Sequence, residues 1–152
     1  MNPHLPSARS RDGYTLAELL VVIVVIGILG AIAAPAFGSW ITRFRVDRAA
    51  SQLVSDLQRT RMEAIRSGTT VALTTNEAGT GYTITRSGTT VKSTTISDEY
   101  TGVTITPGAS IAFNSRGLRT GAATSASLTL SRRSQTREVN VGILGRVDLA
   151  TY

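Results

Sequence analysis

The chain has no cysteine, and its 152 residues include one histidine, His4. Without thiols there are no thiol nucleophiles, thiolate metal ligands or disulfides, although this absence identifies no redox compartment. A lone histidine in a polar N-terminal stretch leaves no means of building a His-based metal cluster or a Ser-His-Asp triad in the rest of the chain. Serine and threonine are plentiful, but no base stands ready to activate them, and no pair of carboxylates is set apart by spacing. Neither a Walker-type nor a dinucleotide-type glycine pattern occurs, so no phosphate-cradling loop is present. The sequence therefore reads as that of a protein that is not an enzyme and has no cofactor and no metal. Lysine is almost missing too: Lys92 is the single exception among sixteen basic residues, the rest being arginine, and the formal charge is +6. That excess admits an anionic partner and says nothing about the fold.

What is present begins with an apolar run. Leu19 to Phe37 contains no charged residue. At about 1.5 Å of rise per residue it just spans a bilayer core of roughly 30 Å. Glu18 stands one residue before the run, and burying it in lipid would cost several kcal/mol unless something neutralised it, which makes it a candidate functional residue. Three readings compete for Met1 to Phe37. Ala31-Ile32-Ala33 resembles a small-x-small signal-peptidase site, but the apolar run exceeds the usual length of a secretory signal and has an acid at its start. A plain membrane anchor that keeps its polar leader is the second reading. The positive-inside rule does not fix its orientation, because Arg43, Arg45 and Arg48 beyond the run outnumber Arg9 and Arg11 before it.

The third reading is a resemblance. Gly13-Tyr14-Thr15-Leu16-Ala17-Glu18, followed by Leu19 to Leu29, resembles the class III signal of type IV pilins and type II secretion pseudopilins. The resemblance implies that a prepilin peptidase cuts between Gly13 and Tyr14 and that Tyr14 becomes the methylated N-terminus. Glu18 becomes the fifth mature residue, and Pro35 falls where the family has its helix-kinking proline. Tyr14 replaces the commoner phenylalanine. Physically, the amine freed at Tyr14 would pair with Glu18 of a neighbouring subunit, each cancelling a charge that lipid and packed helices tolerate poorly. Gly27, Gly30 and Pro35 make this the weakest part of the helix, since glycine costs about 1 kcal/mol there and proline about 3. The expectation is a helix in the membrane that unwinds when packed in a filament; the alternative is close helix packing through these small residues.

From Ser39 to about Ser67 the pattern is amphipathic. Ile41, Phe44, Ala49, Ala50, Leu53, Leu57, Ala64 and Ile65 recur at helical spacing. Asp47, Arg48, Asp56, Arg59 and Glu63 read as a solvated face, and Ser67-Gly68 as the C-terminal stop. After Gly68 the composition turns to Thr, Ser, Gly and Val. Short alternating runs at 70–75, 82–86, 90–96, 103–106, 110–113, 127–130, 138–141 and 146–149 read as strands separated by turns such as 76–79, 87–88 and 106–108. Asp98-Glu99 reads as an exposed turn. Arg-Ser-Gly-Thr-Thr-Val occurs at both 66–71 and 86–91, which indicates a reused turn-then-strand device.

Ile111 to Gly117, Leu128 to Leu130, Arg137 to Val141 and Gly145-Arg146-Val147 are similar to the C-terminal half of pseudopilin H and the minor pilin FimT. The expected fold is α+β, the pilin fold: a long N-terminal α-helix, its first half transmembrane, packed on an antiparallel β-sheet head. The resemblance divides the chain into a cleaved leader (1–13), a transmembrane or filament-core helix (14–37), the amphipathic half of that helix (38–67) and a β-rich head (68–152). It implies a minor subunit of a type IV pilus or type II secretion pseudopilus, in the inner membrane with its head in the periplasm. The implied partners are prepilin peptidase, other pilins or pseudopilins and the membrane.

DNA is a second candidate partner. Arg116, Arg119, Arg132, Arg133, Arg137 and Arg146 lie between Asn114 and Arg146 against a single acid, Glu138. Most fall in expected loops, and paired guanidinium donors suit phosphate. Some FimT-type minor pilins bind DNA through a C-terminal Gly-Arg-x-Arg motif, whereas this chain has Gly145-Arg146-Val147-Asp148, with a repelling carboxylate in place of the second arginine. The alternative is that these arginines solvate the surface and pair with neighbouring subunits. With few aromatics nearby, any nucleic-acid binding would be directed at the backbone.

Overall fold

The structure, a computed structural model, describes residues 14–121 and 123–150, with the backbone alone at 35 and 36. The expected leader with Gly13 lies outside the described residues. Thr15 opens helix α1 (Leu16–Ser67, 52 residues). Its hydroxyl accepts the Glu18 N–H at 3.2 Å, satisfying one of the free donors of the first turn. Thr15-x-x-Glu18 has the spacing of a capping box, and an acid in the first turn also suits the positive end of the helix dipole. The backbone stays helical through Gly27, Gly30 and Pro35. The chain divides into two compact units, Met1–Gly38 and Ser39–Tyr152.

In the second unit, α1 buries Val46, Ala49, Ala50, Leu53, Leu57 and Ala64, flanked by Thr42 and Thr60. These positions recur every three or four residues and form one apolar stripe. The stripe is phased differently from the expectation. Ile41, Phe44 and Ile65, read as core from their spacing, remain exposed. Two threonines take buried places instead, Thr60 by returning its hydroxyl to the Asp56 carbonyl at 2.7 Å. Asp56 corrects the sequence reading more sharply. It was placed on the solvated face but is 2% exposed, because Tyr82 and Lys92 from the strands meet its carboxylate.

Among the described residues eight strands follow: β1 (Val71–Thr75), β2 (Gly81–Arg86), β3 (Thr89–Thr95), β4 (Thr104–Ile105), β5 (Ser110–Phe113), β6 (Ser125–Arg132), β7 (Gln135–Gly142) and β8 (Val147–Leu149). Between β3 and β4 a single helical turn, α2 (Ile96–Glu99), holds Asp98 and Glu99 at the surface. The strands form two antiparallel four-stranded sheets, ordered β3-β2-β1-β5 and β4-β6-β7-β8. Sequence reasoning had grouped them as one head without separating the sheets. Burial alternates along β1, and Leu128, Leu130, Val139 and Val141 turn inward from the second sheet. With Val71, Leu73, Ile84, Ile111 and Phe113 they enclose the buried face of α1 in one core.

The repeated hexapeptide serves two purposes. Its first copy carries the end of α1 at Ser67 into β1. Its second makes the β2–β3 hairpin, where Ser87 and Gly88 take φ of 48° and 82°. Two consecutive positive φ values match the right-handed twist of the paired strands.

Candidate functional site

Two regions carry the residues singled out from sequence. The first is the start of α1. Leu16–Ala34, 19 residues of mean hydropathy 2.8, is long and apolar enough to cross a membrane, and none of it is buried. Tyr14 is 83% exposed. Leaving a run of Leu, Val and Ile in water would forfeit about 25 cal/mol for each Å² of apolar surface, so the segment requires a lipid or protein environment. Thr15 was missed as a contributor here, although the Thr-x-x-Glu spacing announces it.

The second region is the set of arginines between 116 and 146, which the structure spreads over several places. Arg116 is exposed on the turn after β5, where Asn114 Oδ1 accepts the Arg116 and Leu118 N–H groups at 2.9 and 3.1 Å. Arg119 is buried and donates to the backbone carbonyls of Thr120 and Ala123. Its role in the fold is to tie down the loop before β6, because buried carbonyls need donors. Arg132 and Arg137 lie in strands rather than in the expected loops. Arg137 Nε sits 2.6 Å from Asp47 Oδ1 on α1. Arg146 is held by Asp148 at 2.7 Å, so the carboxylate that interrupts the Gly-Arg-x-Arg pattern occupies the guanidinium next to it.

Arg132 and Arg133 form the tip of the β6–β7 hairpin, within electrostatic reach of Arg45 of α1. Burial holds the Arg132 guanidinium below its ordinary range, and the charges of Arg45 and Arg133 lower it further. This grouping was not visible in the sequence, which places Arg45 far from the other two.

A third feature explains two of the glycines in the C-terminal motifs. Arg61 of α1 donates from Nε to the Gly117 carbonyl at 2.9 Å and from Nη2 to the Leu144 carbonyl at 3.4 Å, drawing two loops together. Gly145 has φ of 76°, and a Cβ there would collide with the Gly117 carbonyl oxygen. Only glycine allows that approach. Alongside, Met62, Ile65, Leu144 and Val147 line a groove of about 730 Å³ with Arg59 and Arg146 at its edges.

The α1 stretch from Ala49, which carries most of the buried stripe, together with the strands through the Gly145 loop, is the region matched by the family of the type II transport protein GspH, over residues 49–145. The chain belongs to the GspH family. Residues 8–34 match the prokaryotic N-terminal methylation motif. A fimbrial protein of Pseudomonas aeruginosa is 37% identical over 76 residues, covering 50% of this chain and 49% of its own length. The pilin-like protein PilA1 of Thermus thermophilus is 38% identical over 72 residues, 47% and 45% of the two chains. This GspH-family chain thus spans about half the length of the relatives it matches. The fold is shared with the type IV minor pilin FimU of Pseudomonas aeruginosa at a TM-score of 0.57 and 18% identity, covering 72% of this chain and 90% of that one. The minor pseudopilin EpsH from the type 2 secretion system of Vibrio cholerae superposes with a TM-score of 0.53 at 17% identity, covering 70% and 96%.

Proposed function

We propose that this GspH-family chain is a minor pilin or pseudopilin, a structural subunit of a type IV pilus or type II secretion filament that is made as a membrane-anchored precursor. The observation that carries this reading is the wholly exposed apolar segment Leu16–Ala34 joined to a unit with its own core. Such a segment is stable in lipid before assembly and among the equivalent segments of neighbouring subunits afterwards, so moving between the two costs little apolar exposure. The leader 1–13 stays on the cytoplasmic side, the segment crosses the inner membrane once, and the head stands in the periplasm. Prepilin peptidase cleaves between Gly13 and Tyr14, and Tyr14 is then methylated. Glu18 neutralises the amine of an adjoining subunit, and Pro35 marks where α1 loosens in the filament.

The experiment follows the chain in cells. Gly13→Ala is expected to block maturation, seen by mass spectrometry as an intact leader. Glu18→Ala is expected to mature normally yet fail to enter filaments. Normal cleavage of the first variant contradicts the assigned site, and wild-type incorporation of the second removes the role of the carboxylate.

A further inference from the structure

We propose that the tip of the β6–β7 hairpin and the adjoining turns of α1 form a docking surface for the anionic headgroups of the bilayer that holds the chain's own apolar segment. This rests on the membrane-anchored reading above.

The geometry comes first. Arg132 and Arg133 stand at the hairpin tip, and the Arg137–Asp47 ion pair at 2.6 Å fastens that hairpin to α1 two residues from Arg45. Gly102 leaves room for the Arg132 side chain, since a Cβ there would lie 3.1 Å from its Nε. Arg45 lies within electrostatic reach of Arg132, so guanidinium groups from segments distant in the chain act on one another here.

Asp47, the closest acid along α1, is engaged by Arg137 and, at 4.0 Å, by Arg43. No salt bridge among the described residues includes Arg45, Arg132 or Arg133. Like charges held near one another with no salt bridge among the described residues favour an external anion. Guanidinium forks fit the paired oxygens of a phosphodiester.

The aromatic side chains of the same part of α1 point to a bilayer. Trp40, the chain's single tryptophan, stacks on Phe44 with ring centroids 5.7 Å apart, and Arg48 lies 4.9 Å over the Phe44 ring. Both rings are largely exposed. An exposed tryptophan beside arginines is the composition favoured where hydrocarbon meets headgroups. Chain position agrees, because Trp40 follows the last residue of the apolar run, Phe37, by three residues and Arg45 follows it by eight. The surface also accounts for the excess of arginine beyond the run, against the usual charge bias: these residues bind lipid phosphate on the side to which the head is exported. Nucleic acid would satisfy the same guanidinium groups but would leave the exposed Trp40 unexplained.

Because the chain has no cysteine, Ser134→Cys gives one attachment point for an environment-sensitive dye at the exposed hairpin tip. The full chain is placed in nanodiscs of phosphatidylcholine, with or without phosphatidylglycerol. Headgroup contact is expected only in the anionic discs and is expected to be lost at 1 M salt, where the screening length is about 3 Å. Each arginine near an anionic surface is worth about fivefold in the docked-to-free ratio, so Arg132→Gln with Arg133→Gln should lower it about 25-fold. Arg116→Gln, away from the patch, should leave it unchanged, and circular dichroism checks that every variant is folded. Equal signals in the two discs, or no effect of the double substitution, overturn the proposal. A response of the dye to duplex DNA but not to lipid charge reassigns the surface to nucleic acid. Failure of the chain to enter discs at all removes the anchored reading as well; entry with a charge-independent signal removes the docking surface alone.

Discussion

Asp56 offers the most direct test of how the helix is joined to the strands. Its carboxylate, 2% exposed, accepts the Tyr82 hydroxyl at 2.5 Å and the Lys92 ammonium at 2.7 and 2.8 Å. Burial and the adjacent Asp56 carboxylate push the Tyr82 phenol well above its ordinary range, so it remains a donor at any ordinary pH. Asp56→Ala strips a buried hydroxyl of its acceptor, at about 1–3 kcal/mol. Lys92, with 38% of its side chain exposed, turns to water and adds little. We expect a loss of about 2–3 kcal/mol. Lys92→Met leaves the carboxylate buried with only Tyr82 as partner. Breaking a fully buried pair costs about 3–5 kcal/mol, and the partial exposure of Lys92 lowers this to about 2–3. Across the unit Ser39–Tyr152, 1 kcal/mol corresponds to about 4 °C in Tm, so each variant should melt about 8–12 °C lower. The double variant should lose less than the sum of the two, with a coupling of about 1 kcal/mol or more. Thermal unfolding of the full chain in detergent, followed by circular dichroism, measures all three. Strict additivity, or single losses under about 0.5 kcal/mol, would refute the account.

Gly145→Ala forces a side chain into the Gly117 carbonyl at positive φ, and urea titration should show a loss of about 1–3 kcal/mol. Phe44→Ser should cost about 0.5–1.5 kcal/mol, through the lost Trp40 stack and Arg48 contact, well short of the roughly 3–5 kcal/mol of emptying a buried phenylalanine site, because the residue is 46% exposed despite its helical spacing with core residues. The Arg66 guanidinium, with help from Arg86, holds the Glu63 carboxyl below its ordinary value of 4.5. A depressed carboxylate stabilises the fold above that ordinary value and loses its effect as pH falls through the lowered one. The Tm difference between wild type and Glu63→Gln should therefore be small at pH 7, shrink with salt, and vanish as pH drops below the lowered value.

Features set by neighbours in the chain were readable in advance. The apolar run, the helix end at Ser67 and all eight strands in order follow from composition, periodicity and turn residues. Features set by distant partners were not. Asp56 looked like a solvated acid because Tyr82 and Lys92, which bury it, lie 26 and 36 residues further on. The phase of the buried stripe depends on which rows of α1 the strands cover, so Thr42 and Val46 displaced Ile41 and Phe44. The same limit applies to the arginines. Their number was visible, but not that Arg119 would turn inward, that Arg137 and Arg146 would meet Asp47 and Asp148, or that Arg45 would join Arg132 and Arg133.

The engagement of Lys92 by Asp56 has a practical consequence for mapping neighbours. Amine-directed crosslinkers and aldehyde fixatives would find, besides the chain's amino terminus, only an ε-amine already drawn into an ion pair. This chain will be under-represented in maps made with such reagents, however intimate its contacts. Carboxylate- or guanidine-directed chemistry, or single thiols introduced into a background free of them, will register contacts that amine chemistry passes over.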